Sequence, residues 1–417
     1  MSFRDFRKSG HWPTLFSAFL YFDVSFMVWV IYGPLGPFIG EAYRLSPSQK
    51  GLLTAVPLLG GSFFRPVLGW FTERIGGRKT ALAGLAITIL PLFTAWKVVD
   101  SFPAFLALGL LLGLAGASFA AALPLASAWY PPQYQGLVMG IAGAGNSGTL
   151  LATLFAPRLA QIFGWRSVFG IAIVPVALVW VIFFLLAKDA PVLPKPKRLK
   201  EYVSLLKIPD TGWFCFLYCL TFGGFVGFAS YLPVFFHDQY GLSKVRAGDF
   251  TTLAVLFGSF LRPAGGLLAD RFGGYRMLLA LFTAECLCIA IIATLPSAGI
   301  ALAVLAIGMG LLGTGNGSVF QLVPQRFPDR VGIMTGIIGS AGGLGGFLLP
   351  SVLGFAKQSS GSFGFGFAIV AGAMLAGAVS LAYLRNVWRR TWPVAAAYRA
   401  GLIDPVEQES EAYVTGA

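Results

Sequence analysis

Twelve long apolar stretches follow one another along this 417-residue chain and leave it few ways to fold. A helix rises about 1.5 Å per residue and needs about 20 apolar residues to cross a bilayer. Divided at its Gly/Pro and charge punctuation, the sequence places such stretches near 12–38, 47–72, 78–97, 102–130, 136–163, 165–187, 209–239, 244–271, 275–296, 298–327, 330–357 and 363–388. Charged residues make up only 11% of the chain, against about 25% in soluble domains. The expected fold is therefore an all-α integral membrane protein whose stretches form transmembrane helices 1 to 12 in chain order.

The net charge of +13 would suit a nucleic-acid binder, but the basic residues follow topology rather than one face. With both termini cytoplasmic, the inside segments hold twenty Lys or Arg and the outside segments eight. Two remain, Arg65 and Arg262, each in the middle of an apolar stretch. The positive-inside rule supports this orientation in a cell (inner) membrane. The start, MSFRDFRKSG, resembles a signal peptide's charged opening, yet the apolar run after it is too long and contains Asp23, so it reads as an uncleaved first span.

The two arginines belong to a duplication. Gly61 to Gly77 reads GSFFRPVLGWFTERIGG and Gly258 to Gly274 reads GSFLRPAGGLLADRFGG, agreeing at nine of seventeen positions with an offset of 197. At the same offset Leu45-Ser46 matches Leu242-Ser243, and Gly113 and Gly116 match Gly310 and Gly313. At 196, Gly136, Gly140 and Gly143 match Gly332, Gly336 and Gly339. The chain thus divides into two pseudo-symmetric six-helix lobes, 1–187 and 209–388, with a Pro- and Lys-rich cytoplasmic linker over 188–208 and a tail over 389–417. Parallel halves of this kind predict an alternating-access transporter with its site at the lobe interface.

Arg65 and Arg262 each precede a cytoplasmic-end arginine by nine residues, roughly half the bilayer core, so both guanidinium groups are expected near the midplane. A buried charge costs about 2.5 to 3.5 kcal/mol on the insertion scale. Two at matched positions, with no acid nearby on helices 2 and 8, mark an anion site. Four cysteines, Cys215, Cys219, Cys286 and Cys288, lie within predicted helices and read as packing residues, so no metal or cofactor is expected.

The loops GWFTERIGGRK (Gly69 to Lys79) and GLLADRFGG (Gly266 to Gly274) resemble the helix 2/3 and 8/9 motif of the major facilitator superfamily, with Glu73 and Phe71-Thr72 departing from it in the first copy. GIAGAGNSG (Gly140 to Gly148), GTGNGSVFQLVPQRFP (Gly313 to Pro328) and GSAGGLGGFLLP (Gly339 to Pro350) are similar to the paired signatures of its nitrate/nitrite porter family. The resemblance covers about Phe19 to Trp388. It implies the major facilitator fold, an anion clamped by Arg65 and Arg262, aromatic packing by Phe119, Tyr218 and Phe222, and a hydrogen bond from Asn146. It also makes signature positions of Gly143, Gly145 and Gly148 on helix 5 and of Gly342, Gly343, Gly345 and Gly346 on helix 11.

Small residues let helices approach closely, so these glycines are expected to let helices 5 and 11 slide against the opposite lobe. The literal GxGxxG at Gly143 to Gly148 follows no strand and is not a dinucleotide site. Asn316 is read as structural, as is Glu285 on helix 9.

Nitrate is flat, monovalent and weakly hydrated, and a guanidinium offers it two parallel charge-assisted hydrogen bonds where lysine offers a point charge. Two facing guanidinium groups repel by about 2 kcal/mol at about 8 Å and an effective dielectric of about 20, which an anion between them relieves. Importing one negative charge costs about 2.3 kcal/mol per 100 mV, so uptake needs cotransported cations or exchange. Asp23, mid-depth in helix 1, is the candidate proton relay. The expectation is a monomeric nitrate/proton symporter for nitrate assimilation that also accepts nitrite, with nitrate/nitrite antiport as the alternative. A membrane nitrate sensor would need a signalling output, and an enzyme a cluster of reactive groups; neither pattern is present.

Overall fold

The computed structural model describes residues 3–131, 134–189 and 199–403. Among them are twelve helices long and apolar enough to cross a membrane: Trp12–Ala42, Pro47–Ile75, Gly77–Lys97, Phe102–Ser127, Leu137–Phe163, Trp165–Leu186, Pro209–Tyr240, Lys244–Phe272, Gly274–Ala293, Ala298–Arg326, Val331–Ser360 and Phe363–Thr391. These are helices 1 to 12, and they fall on the twelve expected stretches. Part of the expected linker, residues 190–198, and the last part of the expected tail, residues 404–417, lie outside the described residues.

Local chemistry sets the ends. Ser46 caps helix 2 in a capping box, its hydroxyl accepting from Gln49 N at 3.4 Å while Gln49 Oε1 accepts from Ser46 N at 2.9 Å. Its repeat mate Ser243 caps helix 8 by accepting from Arg246 N at 3.3 Å. Helices 2 and 8 stop at Gly76 and Gly273, whose φ values of 90° and 88° suit glycine alone. Gly164 and Gly361, again 197 apart, have φ of 80° and 73°. The duplication is therefore written into the backbone as well as the sequence.

Large apolar side chains such as Phe63, Leu90, Ile162, Val174 and Leu267 point outward and are more than half exposed, as a helix surface in contact with lipid requires. At the Arg74 end, Asp210 ties three helices together. It accepts from Arg326 Nε of helix 10 at 2.5 Å and from Trp388 Nε1 of helix 12 at 2.9 Å. Beyond helix 12 a short helix, Val394–Ala400, packs beneath helices 9 and 10, and Gln321 Nε2 donates to the Arg399 carbonyl at 3.1 Å.

The first six helices and the last six touch along only part of their length. At the end carrying Glu41 and Lys50, ion pairs cross between them: Lys50 to Asp238 at 2.7 Å, Arg158 to Asp249 at 2.7 Å, and Lys244 to Glu41. Ser48 Oγ also donates to Gln358 Oε1 at 2.5 Å. Backbones meet there too, Gly51 against Pro350 and Gly354, Gly33 against Ser230, and Gly248 against Thr153. Toward the Arg74 end the halves part. Gly140, Gly143, Gly332 and Gly336 face open space, with nothing within 4 Å of where a Cβ would stand. The molecule is closed at one end and open at the other.

Candidate functional site

Three of the first six helices break, and each break carries a site residue. Helix 1 is interrupted after Trp29, helix 4 just before Phe119, and helix 5 by the 3-10 turn Ala144–Ser147 that holds Asn146. Breaks free carbonyls and N–H groups from the helical ladder and are tolerated at membrane depth only where the protein itself surrounds them. Helices 7, 8, 10 and 11 run through the same depth unbroken.

Arg65 is 3% exposed. Its Nε donates to the carbonyl of Gly116, at the helix 4 break, at 3.2 Å, and its Nη1 donates to the carbonyl of Gly339 on helix 11. Its Cζ lies 5.0 Å from the ring centroid of Phe222, 5.2 Å from Trp29 and 5.9 Å from Phe119. Arg262 Cζ lies 5.8 Å from Phe119 and 5.9 Å from Phe222. Both cations thus face the same two rings, one from each half, where cation–π attraction offsets part of their desolvation. Among the described residues no carboxylate pairs with either arginine, and Nη1 of Arg262 is buried without a partner. An anion between them would supply the missing acceptors.

Helix 7 contributes a stacked pair, Tyr218 on Phe222 at 5.2 Å and 4°. Gly342 makes room for it, since a Cβ there would come within 2.7 Å of Tyr218 and 2.8 Å of Phe222. The Tyr218 hydroxyl adjoins Arg262. Asn146 is fully buried with neither amide atom paired, in a turn that packs on helix 1 and against helix 8. Five of the six residues expected to bind substrate, Arg65, Arg262, Phe119, Tyr218 and Phe222, therefore come together, while Asn146 sits apart from them in the turn between helices 1 and 8. An apolar groove of about 530 Å³, lined by Phe64, Val67, Phe71, Ile87 and Leu111, lies elsewhere on the outer face of helices 2 to 4; its threonines, Thr80 and Thr94, donate their hydroxyls to backbone carbonyls, and no charged group lines it.

The glycines divide differently from expectation. Gly343 lies on Ser62 of helix 2 and Gly346 on Leu58, as close approach of opposite halves requires. Gly145 and Gly148, however, pack on Phe22 and the Asp23 backbone of helix 1, within the same half, and Gly345 packs on Cys219 of helix 7. Their smallness shapes each half from within. On helix 5, Gly145 and Gly148 flank Asn146 in and beside the 3-10 turn that packs on helix 1.

Asp23 is half-buried and its Oδ1 accepts from Ser147 Oγ at 2.6 Å, beside Asn146. Trp29 escaped the sequence reading. It stacks with Phe222 across the interface at 6.3 Å and 19°, is seated on Gly61 and Gly116, and donates from Nε1 to the Pro57 carbonyl at 2.6 Å. It roofs the site on the closed side. Its position well inside an apolar stretch, away from the interfacial belt where tryptophan concentrates, fits a core residue equally well and does not by itself mark a site.

Comparison with known proteins identifies the family. The sequence model of the Major Facilitator Superfamily matches residues 17–350. The chain is 34% identical over 363 residues to the "Nitrite extrusion protein" of Bacillus subtilis, covering 86% of this chain and 91% of that one. It is 36% identical over 340 residues to the "Probable nitrate/nitrite transporter NarK2" of Mycobacterium tuberculosis, covering 79% and 85%. Against the "Probable nitrate transporter NarT" of Staphylococcus epidermidis it is 31% identical over 341 residues, covering 81% and 87%. It is a transport protein and not an enzyme. With twelve spanning helices, a duplicated backbone and a paired-arginine site, the chain belongs to the nitrate/nitrite porter family of the major facilitator superfamily.

Proposed function

We propose that this protein is a secondary transporter of nitrate that also accepts nitrite, and that it takes nitrate up together with protons by alternating access. The observation that carries the reading is the pair Arg65 and Arg262 facing the same two rings, Phe119 and Phe222, with no acidic partner. A flat monovalent anion fits between rings while its edge oxygens meet the guanidinium forks. Tyr218 and Asn146 add neutral donors at that edge. The names of the relatives point to the same pair of anions.

The positive-inside bias supports a reading with both termini on the cytoplasmic side of a cell (inner) membrane, in which the open end is cytoplasmic and this is an inward-open state. Two lobes, 1–187 and 209–388, rock about the site, and a monomer suffices. Import of an anion against an inside-negative potential requires compensation of about 2.3 kcal/mol per 100 mV for each charge. Asp23 is the group assigned to carry the proton, since its bond to Ser147 links it to the turn that holds Asn146. Nitrate/nitrite exchange is the second reading, favoured by the relative named for nitrite extrusion.

Nitrate uptake into proteoliposomes tests both. An inward proton gradient alone should drive it, whereas exchange would require internal nitrite and no gradient. Uptake under neither condition would overturn the proposal.

A further inference from the structure

We infer that Asn316, on helix 10, is a further anion-contacting residue that donates an amide N–H to the substrate from the Arg262 side, an inference resting on the nitrate reading above.

The duplication places it. Asn316 is the repeat mate of Phe119 at the offset of 197 that also relates Arg262 to Arg65. Phe119 lies 5.9 and 5.8 Å from the two guanidinium carbons, so the equivalent position in the other half borders the same space. Depth agrees, because Asn316 precedes Arg326 by ten residues much as Arg262 precedes Arg271 by nine, roughly 15 Å in each case.

Its neighbours are site elements. A Cβ on Gly315 would come within 2.8 Å of Thr221, next to Phe222, and one on Gly317 within 2.7 Å of the Arg262 carbonyl. Phe320, one turn further, meets Tyr218 edge-on at 5.0 Å.

The decisive feature is what Asn316 does not bond. It is fully buried, and neither its Nδ2 nor its Oδ1 has a partner. Buried side-chain amides are nearly always paired, and leaving one open is costly. A structural asparagine would bridge two helices, and this one bridges none. Asn146, from the other half, is in the same condition, as are Thr221 Oγ1 and Arg262 Nη1. Nitrate has three equivalent acceptor oxygens, and two amides, one from each half, together with the guanidinium forks give each oxygen a donor. A phenyl ring in one half and an amide in the other would also fix the orientation of the anion plane.

The test is Asn316→Leu in the full-length protein. Because an unpaired amide gives way to an apolar side chain of similar size, the anion-free melting temperature in detergent should hold or rise. The nitrate concentration for half-maximal uptake in proteoliposomes should rise about tenfold or more, with the maximal rate less affected, and stabilisation by nitrate should shrink in parallel. Unchanged half-saturation overturns the inference. Should the leucine variant lose stability, the isosteric Asn316→Asp decides alone, since it sets a carboxyl against the anion, and half-saturation equal to the unsubstituted protein's would again overturn it. Absence of nitrate uptake by the unsubstituted protein in the same vesicles would instead remove the nitrate reading itself.

Discussion

Arg65 of helix 2 donates from Nη1 to the carbonyl of Gly339 on helix 11, so one of the two cations proposed to hold the anion is also a bond between the halves of the molecule. An anion that takes this donor must break that bond. Substrate and the interface thus compete for the same donor, so binding would loosen the interface, and a ligand shifts a two-state equilibrium only through such differential contacts.

Lysine cannot replace this geometry. Arg65→Lys keeps the charge but loses the fork that serves Gly116 and Gly339 together, and Arg262→Lys loses the one that serves the anion. One lost charge-assisted hydrogen bond is worth about 1.5 to 3 kcal/mol, so nitrate uptake per unit concentration should fall about ten- to a hundredfold in either variant. Initial-rate uptake at matched reconstitution measures this, and near wild-type rates would mean that charge alone suffices.

Gly342 and Gly143 are expected to respond oppositely to one methyl group. In Gly342→Ala the new Cβ meets Tyr218 and Phe222 at 2.7 to 2.8 Å, which must unstack the pair and abolish most uptake. Gly143→Ala meets nothing in this state, so its stability should change by no more than about 0.5 kcal/mol, the usual range for contact-free sites. If Gly143 closes against the opposite half later in the cycle, its uptake rate slows all the same. Parallel thermal and uptake measurements separate the two effects.

The twelve spans and the duplication could be read from the sequence because hydropathy and glycine spacing are local signals that the bilayer enforces strongly. That Arg65, Arg262, Phe119, Tyr218 and Phe222 come together could be expected, because a buried charge marked the two arginines and a family resemblance marked the rings. Trp29 was not, because in a chain with ten tryptophans nothing local tells a wedge on Gly61 and Gly116 from ordinary packing. The inward-turned Gly145 and Gly148 were misread for a related reason. Glycine spacing marks a close approach but not which helix makes it, and nothing in GAGNSG announces the 3-10 turn that packs on helix 1.

Asp23→Asn distinguishes the two coupling schemes. The amide keeps the bond from Ser147 and stays neutral, so binding should persist. Under symport, gradient-driven uptake should fall at least tenfold while nitrate counterflow continues. Equal gradient-driven uptake in both proteins would leave Asp23 a structural residue and favour exchange.

The closed end depends on charge pairs that can be swapped. Lys50 and Asp238 are each less than one-fifth exposed, whereas Arg158 and Asp249 are more exposed, so screening leaves the first pair the stronger latch. Removing it with Lys50→Ala should weaken closure by about 1 kcal/mol, roughly a fivefold shift toward states open at this end. Hydrogen exchange at residues 44–50 should then quicken, while exchange near Asp210, at the other end, stays as it was. The swapped pair, Lys50→Asp with Asp238→Lys, should restore slow exchange although each single reversal speeds it. Additive effects of the two reversals would mean that the contact at 2.7 Å does not hold the halves together, and closure would rest on the glycine-lined backbone contacts at Gly33, Gly51 and Gly248.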